Sequence, residues 1–460
     1  MSTDPANMTG NGASQTSGGE AHFSSLNRLA GLAAVVGVGL FLAVGLINLS
    51  QASDEAAAQA AKQRLASAYL TGFTFWLSLP IGAVALLLIH HLVKSSWGLL
   101  LRQFFEAAVR TMPLLFLLWI GLAALASTDA SPYWWTHPEK AHVPEGEVAP
   151  PTGDESKHEQ ALKISESLLR RAIEHEHKAR QTGNLSFLSK NSFYGVGLTV
   201  FLIWGLLGYF LNKWGREAAA ATDRDGVEAA LGKAGALGGP GLIIYAITLT
   251  AAATQWVMSV EPSWSSTMFP VIFAVNQFLT CYALCLALFL LCQDRSPIKD
   301  VMRSKYRIDM GTLLLAFTLF WSYTSFSQFM LVWVGNLPEE IPFYLRRSEG
   351  GWWWVSAGLC VFHFAVPFLL LLFRDIKKHP CRLRSVAVYL LVVCAVDVTW
   401  WIEPAFSQPT VIPFWLMDIG AIVGIGGIWG LYFFRELGRY RLLETSALYR
   451  LPEGHDHEQH

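Results

Sequence analysis

Of 460 residues, 53% are hydrophobic and only 15% charged, and the mean hydropathy of +0.36 excludes a chain made only of soluble domains. A formal net charge of −1 supplies no basic field to argue for nucleic acid, and no nucleic-acid partner is expected. The six cysteines show no CxxC or CxxCH spacing, so signals for covalent c-type haem, a zinc ribbon or a cysteine-held cluster are missing.

A hydrocarbon core about 30 Å thick takes roughly 20 apolar residues per helix. In chain order ten such runs occur: Leu29–Leu49, Tyr69–Val93, Leu99–Ala126, Phe193–Leu211, Gly241–Val260, Trp264–Leu291, Gly311–Val334, Trp352–Phe373, Ser385–Ile402 and Val411–Phe434. They predict an all-α polytopic membrane protein with ten transmembrane helices. Residues 1–28, rich in Gly, Ser, Thr and Asn, lack the basic start and apolar core of a signal peptide. They read as a disordered cytoplasmic tail, the first span (29–49) is kept as an anchor, and 435–460 form a second tail.

Short loops that keep Lys and Arg stay in the cytoplasm. Lys213, Arg216, Arg224 and Lys233 follow the fourth span; Arg295, Lys299, Arg303, Lys305 and Arg307 follow the sixth; Arg374, Lys377, Lys378, Arg382 and Arg384 follow the eighth. The opposite turns, around Glu261 and Glu403, hold Trp and no Lys or Arg, so both termini are expected inside. The long outer loop, 127–192, carries Ala161, Leu162, Ile164, Leu168, Leu169 and Ile173 at helical spacing. This amphipathic helix suits a membrane surface and a partner protein equally.

"QWVMSVEPSWS" closes the fifth span and "VTWWIEPAFS" the ninth, with Glu403 lying 142 positions (403 − 261) after Glu261. The echo divides the chain into two four-helix bundles, 69–260 and 264–402, flanked by the first span and the tenth (411–434). Helix capping in the wet interface by Glu-Pro, with Trp as anchor, accounts for both motifs without a functional role.

Polar residues within spans either mark an ion path or tie helices together. Arg102, Glu106 and Arg110 recur every four residues on one face of the third span, as a self-neutralising ladder or a proton-transfer group. Cys281, Cys285 and Cys292 share a face of the sixth span, which suits packing better than a metal. Span seven reads "WSYTSFSQF", with Tyr323, Ser325 and Ser327; His363 lies mid-span in the eighth, Asp397 in the ninth and Asp418 in the tenth. With Glu106 and Arg110, these are the candidate proton-path residues, since histidine titrates near neutrality and burial raises a carboxylate's pKa. No complete line crosses the membrane, so a half-channel fits better than a pore, and ordinary interhelical hydrogen bonding uses the same residue types.

Several long motifs, in order from about Tyr69 to Phe434, carry a family resemblance. They are "HHLVKSSWGLLLRQFFEAAVRTMPLL", "SPYWWTHPE", "QWVMSVEPSWSST", "FSQFMLVWVGNLPEEIPFYLRR" and "WWIEPAF". The chain resembles the ActF family, the second large membrane subunit of alternative complex III, a bacterial quinol:cytochrome c oxidoreductase, related to the NrfD-like membrane proteins. The resemblance implies ten spans in two four-helix bundles, in the cytoplasmic membrane. It also implies no cofactor bound by this chain. Haem c and iron–sulfur clusters reside in partner subunits: an iron–sulfur protein, cytochrome c subunits and a sister NrfD-like subunit to which the quinol pocket is usually assigned. In that context the Gly335–Arg347 loop lies on the outer side, with Glu339, Glu340, Arg346 and Arg347 as candidate docking charges; a plain helix connection is the other reading. Two departures stand out. The family commonly has Asp where Gln255 stands, and an amide cannot titrate; "NLSFLSKNSFYG" also differs from the family's usual approach to the fourth span.

Overall fold

In lipid every backbone donor must be satisfied within the segment, so apolar runs of this length fold as helices. The computed structural model describes residues 12–136, 167, 187–221, 223–261, 264–295, 298–337, 340–348, 351–406 and 415–439, and among these no strand occurs. The main elements are α1 (Gly12–Ser50), α2 (Glu55–Val93), α3 (Ser96–Val109), α4 (Met112–Leu125), α5 (Lys190–Ala220) and α6 (Arg224–Trp256). They continue as α7 (Phe269–Cys292), α8 (Ser304–Gly335), the short α9 (Ile341–Arg346), α10 (Trp352–Leu372), α11 (Pro380–Ile402) and α12 (Trp415–Gly438).

Among the described residues eight helices are long and apolar enough to cross a membrane: α1, α2, α5, α6, α7, α10, α11 and α12. The α3–α4 pair makes a ninth if it counts as one span, bent by 40°. The sequence run Leu99–Ala126 is thus not one straight helix. Pro113, lacking an N–H, cannot donate to the Val109 carbonyl, and α4 restarts with that proline in its first turn. The 32-residue α8, about 48 Å long, has the length to cross, but the polar "WSYTSFSQ" in its middle keeps it outside the apolar set.

Two helices begin earlier than the apolar runs suggest. The α1 helix starts at Gly12, inside the stretch expected to be a disordered tail, because adding residues to an existing helix needs no new nucleation. The α2 helix starts at Glu55, capped by Asp54, whose carboxylate accepts the Ala57 N–H at 2.7 Å. That extension brings Arg64 into the helix, above the run beginning at Tyr69.

The α2 helix lies at the centre, buried on nearly all sides, against α1, α3, α6, α7, α11 and α12. The α5 helix packs on α6 and α4, and α7 packs on α8 and α11. The α1–α12 pair approaches backbone to backbone: a Cβ on Gly424 would fall 2.8 Å from the Val38 nitrogen, and one on Gly427 2.1 Å from the Ala34 nitrogen. Small residues permit such contact between helices in lipid. Of the outer loop, the stretch 127–136 folds back on the α6 end, where Tyr133 Oη donates to the Trp256 carbonyl (3.1 Å) and Trp135 Nε1 to Ser259 Oγ (3.1 Å). The expected amphipathic helix at 161–173 lies, Ser167 apart, outside the described residues.

The α10 helix passes through a π-helical stretch, Leu359–Ala365, that contains His363. Four residues later Pro367 has no N–H for the His363 carbonyl, and the Val366 N–H reaches back five residues to Val361 instead. A proline mismatch in the hydrogen-bond ladder therefore swells the helix where its histidine sits.

Candidate functional site

The Glu-Pro turns are not wet caps. Glu261 and Glu403 are both buried, at 4% and 1% exposure, and each ends in an ion cluster. Glu261 accepts from Arg346 (2.8 Å) and Arg347 (3.3 Å), the pair that ends the Gly335–Arg347 segment. Arg347 also donates to the carbonyls of Phe343 (2.7 Å), Trp400 (3.0 Å) and Trp401 (2.8 Å), with its guanidinium 3.4 Å above the Phe343 ring. Burial pulls its pKa down to about 10, against the opposing pull of Glu261, so it stays protonated at neutral pH. Arg347 is therefore a buried clamp joining three turns, and the docking role expected for it is corrected: full burial leaves no charge to present. Arg346 is partly exposed, Glu340 half-buried, and Glu339 lies outside the described residues.

At the other turn the balance is reversed. Arg64 of α2 donates to Glu403 and, at 2.8 Å, to Asp418 Oδ2, while Thr71 Oγ1 donates to Glu403 Oε1 at 2.9 Å. One guanidinium thus faces two buried carboxylates. Sequence reading missed Arg64 because it lies outside the apolar run; the signal for it was Asp418, an acid within the tenth span with no cation beside it in sequence.

Asp397 forms a separate centre. Its Oδ2 accepts from Asn276 Nδ2 and Trp321 Nε1, each at 2.8 Å, and lies 3.9 Å from His363 Nδ1. The His363 ring stacks on the Trp321 indole at 3.7 Å, and its Nε2 sits 3.6 Å from Cys394 Sγ. His363 is completely buried and its Nδ1 makes no hydrogen bond. Asp397 also borders a cavity of about 870 Å³ walled by aromatic rings, among them Phe326, Phe329, Tyr344, Trp353 and Trp400. Both of the hydrogen bonds to Asp397 land on Oδ2 and neither on Oδ1. At 3.9 Å, Asp397 Oδ2 and His363 Nδ1 are neighbours beyond direct hydrogen-bond distance.

The eight expected path residues therefore separate into groups. His363 and Asp397 meet; Ser325 and the outward-facing Tyr323 line the cavity, and Ser327 is not among its lining residues. Asp418 joins Arg64 and Glu403. Glu106 and Arg110 stay in α3, where Glu106 takes Arg102 (3.3 Å) and Arg110 (3.2 Å), and Arg110 Nε donates to Asn212 Oδ1 (3.1 Å). Asn276 and Trp321, which position Asp397, were not singled out in the sequence.

Gln255 precedes Asp397 by the same 142 positions (397 − 255) that separate the two glutamates. Fully buried, its Nε2 donates to the Phe187 carbonyl (3.0 Å) and Ser192 Oγ (3.3 Å). Aromatic rings fill the space nearby: Trp119 stacks on Phe193, and Phe201 on Trp256. Where the second half of the chain has a carboxylate, a histidine and a cavity, the first has an amide and packed rings. Among the described residues no three His, Cys, Asp or Glu side chains are grouped to hold a metal ion.

No protein-family model matches the chain, and no curated protein matches it.

Proposed function

We propose that this chain is an ActF-type membrane subunit of a quinol:cytochrome c oxidoreductase, alternative complex III, and that it handles protons at the Asp397–His363 centre. The observation that carries the proton role is the buried, paired placement of these two groups beside an aromatic cavity. The motifs quoted above carry the assignment to the complex. On this reading ten spans, α8 and the α3–α4 pair included, form two four-helix units with α1 and α12 outside them. Both termini are cytoplasmic, in a bacterial inner membrane. The redox groups, haem c and iron–sulfur clusters, belong to partner subunits, and quinol is the substrate of the assembly. Asp397 exchanges a proton with the cavity side, with Trp321 and Asn276 donating to its carboxylate and His363 packed beside it. Glu340 and Arg346 remain the docking charges within the described residues.

Purification in mild detergent tests the assignment: haem-bearing polypeptides should accompany the chain. In that preparation Asp397→Asn should leave assembly intact and lower the number of protons moved per electron. An unchanged stoichiometry removes the proton role, and isolation of the chain alone removes the complex. The 142-residue repeat favours a second reading, a free-standing secondary transporter. Solute uptake into liposomes containing only this chain decides for it.

A further inference from the structure

A second cavity, about 820 Å³, runs along the outside of the protein where α4, α5 and α12 meet. Along α5 its lining extends from Leu198 to Arg216, about 27 Å of helix. Most of that length is apolar: Leu198, Leu202 and Tyr209 are more than half exposed on the membrane-facing surface, with Phe116 and Pro113 opposite. Gly205 forms bare floor, since a Cβ there would meet no atom within 4 Å.

The other end is cationic. Arg110, Arg216 and Arg439 line it, together with Glu436. Arg439 pairs with Glu436, and Arg110 shares Glu106 with Arg102, while Arg216 Nε donates to the Asn212 carbonyl. Among the described residues Arg216 has no carboxylate partner, which leaves a positive charge at the head of a greasy trough. Arg216 and Arg439 are exposed there, at the end of the helices where headgroups lie.

We propose that this groove is a binding site for an anionic phospholipid, with the phosphate held by Arg216 and Arg439 and an acyl chain laid along α5 over Gly205. Apolar length and cationic head are joined in one cavity, and a phospholipid supplies both complements in one molecule.

The test uses the full-length chain, purified in mild detergent with whatever subunits accompany it. Phosphatidylglycerol, phosphatidylcholine and inorganic phosphate are offered separately, and retention is read by native mass spectrometry and thermal shift. One surplus charge at about a membrane surface's strength per arginine predicts roughly fivefold preference for phosphatidylglycerol over phosphatidylcholine. Arg216→Gln with Arg439→Gln should abolish that preference while leaving the trough. Gly205→Leu should reduce retention of both lipids without disturbing the fold, because leucine is the better helix former and the space is open. Equal binding of the two lipids to the unaltered protein overturns the proposal. So does unchanged phosphatidylglycerol retention in the variants, or a stabilisation by inorganic phosphate alone that matches the lipid's.

Discussion

Replacing Arg64 by methionine tests how the turn at Glu403 is held. The substitution keeps much of the side-chain length and removes the guanidinium that Glu403 and Asp418 share, two carboxylates that are 1% and 2% exposed. Breaking a buried pair by deleting one partner typically costs about 3–5 kcal/mol, because the remaining charge is left without a counterion. Here two carboxylates lose the same guanidinium, so the upper part of that range is expected, about three powers of ten in the folding equilibrium. Unfolding in mixed micelles with a denaturing detergent, followed by the fluorescence of the 18 tryptophans, measures it. Adding Glu403→Gln and Asp418→Asn to the same protein should restore most of the loss, since a neutral cluster has no charge to strand. If Arg64→Met stays within about 1 kcal/mol of the unaltered protein, the guanidinium is not what holds the turn. If the triple variant is as unstable as the single one, lost packing and not stranded charge is the cause.

Three further outcomes are expected. Gly197→Ala would place a Cβ 1.9 Å from the Trp119 indole, and overpacking of that ring cluster should cost about 1–3 kcal/mol in the same assay. Gln255→Asp removes the donor to Phe187 and Ser192 and shortens the side chain at a fully buried site, so a loss of about 1–3 kcal/mol should follow. Trp321→Phe keeps an aromatic ring over His363 but deletes the Nε1 bond to Asp397; roughly 1.5–3 kcal/mol should be lost, and Asp397→Asn should shrink that loss in a double-mutant cycle.

Spans were legible because hydrocarbon imposes one length and one secondary structure on any apolar run, so α7 and α11 lie within a few residues of where the runs place them, apart from the first turn of each. The α3–α4 bend and the π-helical stretch were less visible, although Pro113 and Pro367 were in plain sight. Whether a proline bends a helix, swells it or passes through, as Pro80 does inside α2, depends on what packs around it. Of the candidate site, His363 and Asp397 could be named from their types and depth. Their partners Asn276 and Trp321 could not, because a neutral amide and an indole look like ordinary span residues. Arg347 was read as an exposed charge because it sits in a loop, and loops are usually wet; two other turns bury it, one through the Glu261 carboxylate and one through the Trp400 and Trp401 carbonyls.

Composition and periodicity alone thus determined that this is a helical membrane protein, where its chain turns, and that its two halves echo each other at Glu261 and Glu403. Only the tertiary structure decided which charges meet: two arginines on one glutamate at the first turn, one arginine on two carboxylates at the second. The apolar pattern is local and repeats along the chain, whereas each ion cluster joins residues from helices far apart in sequence, and only packing puts them within hydrogen-bond distance.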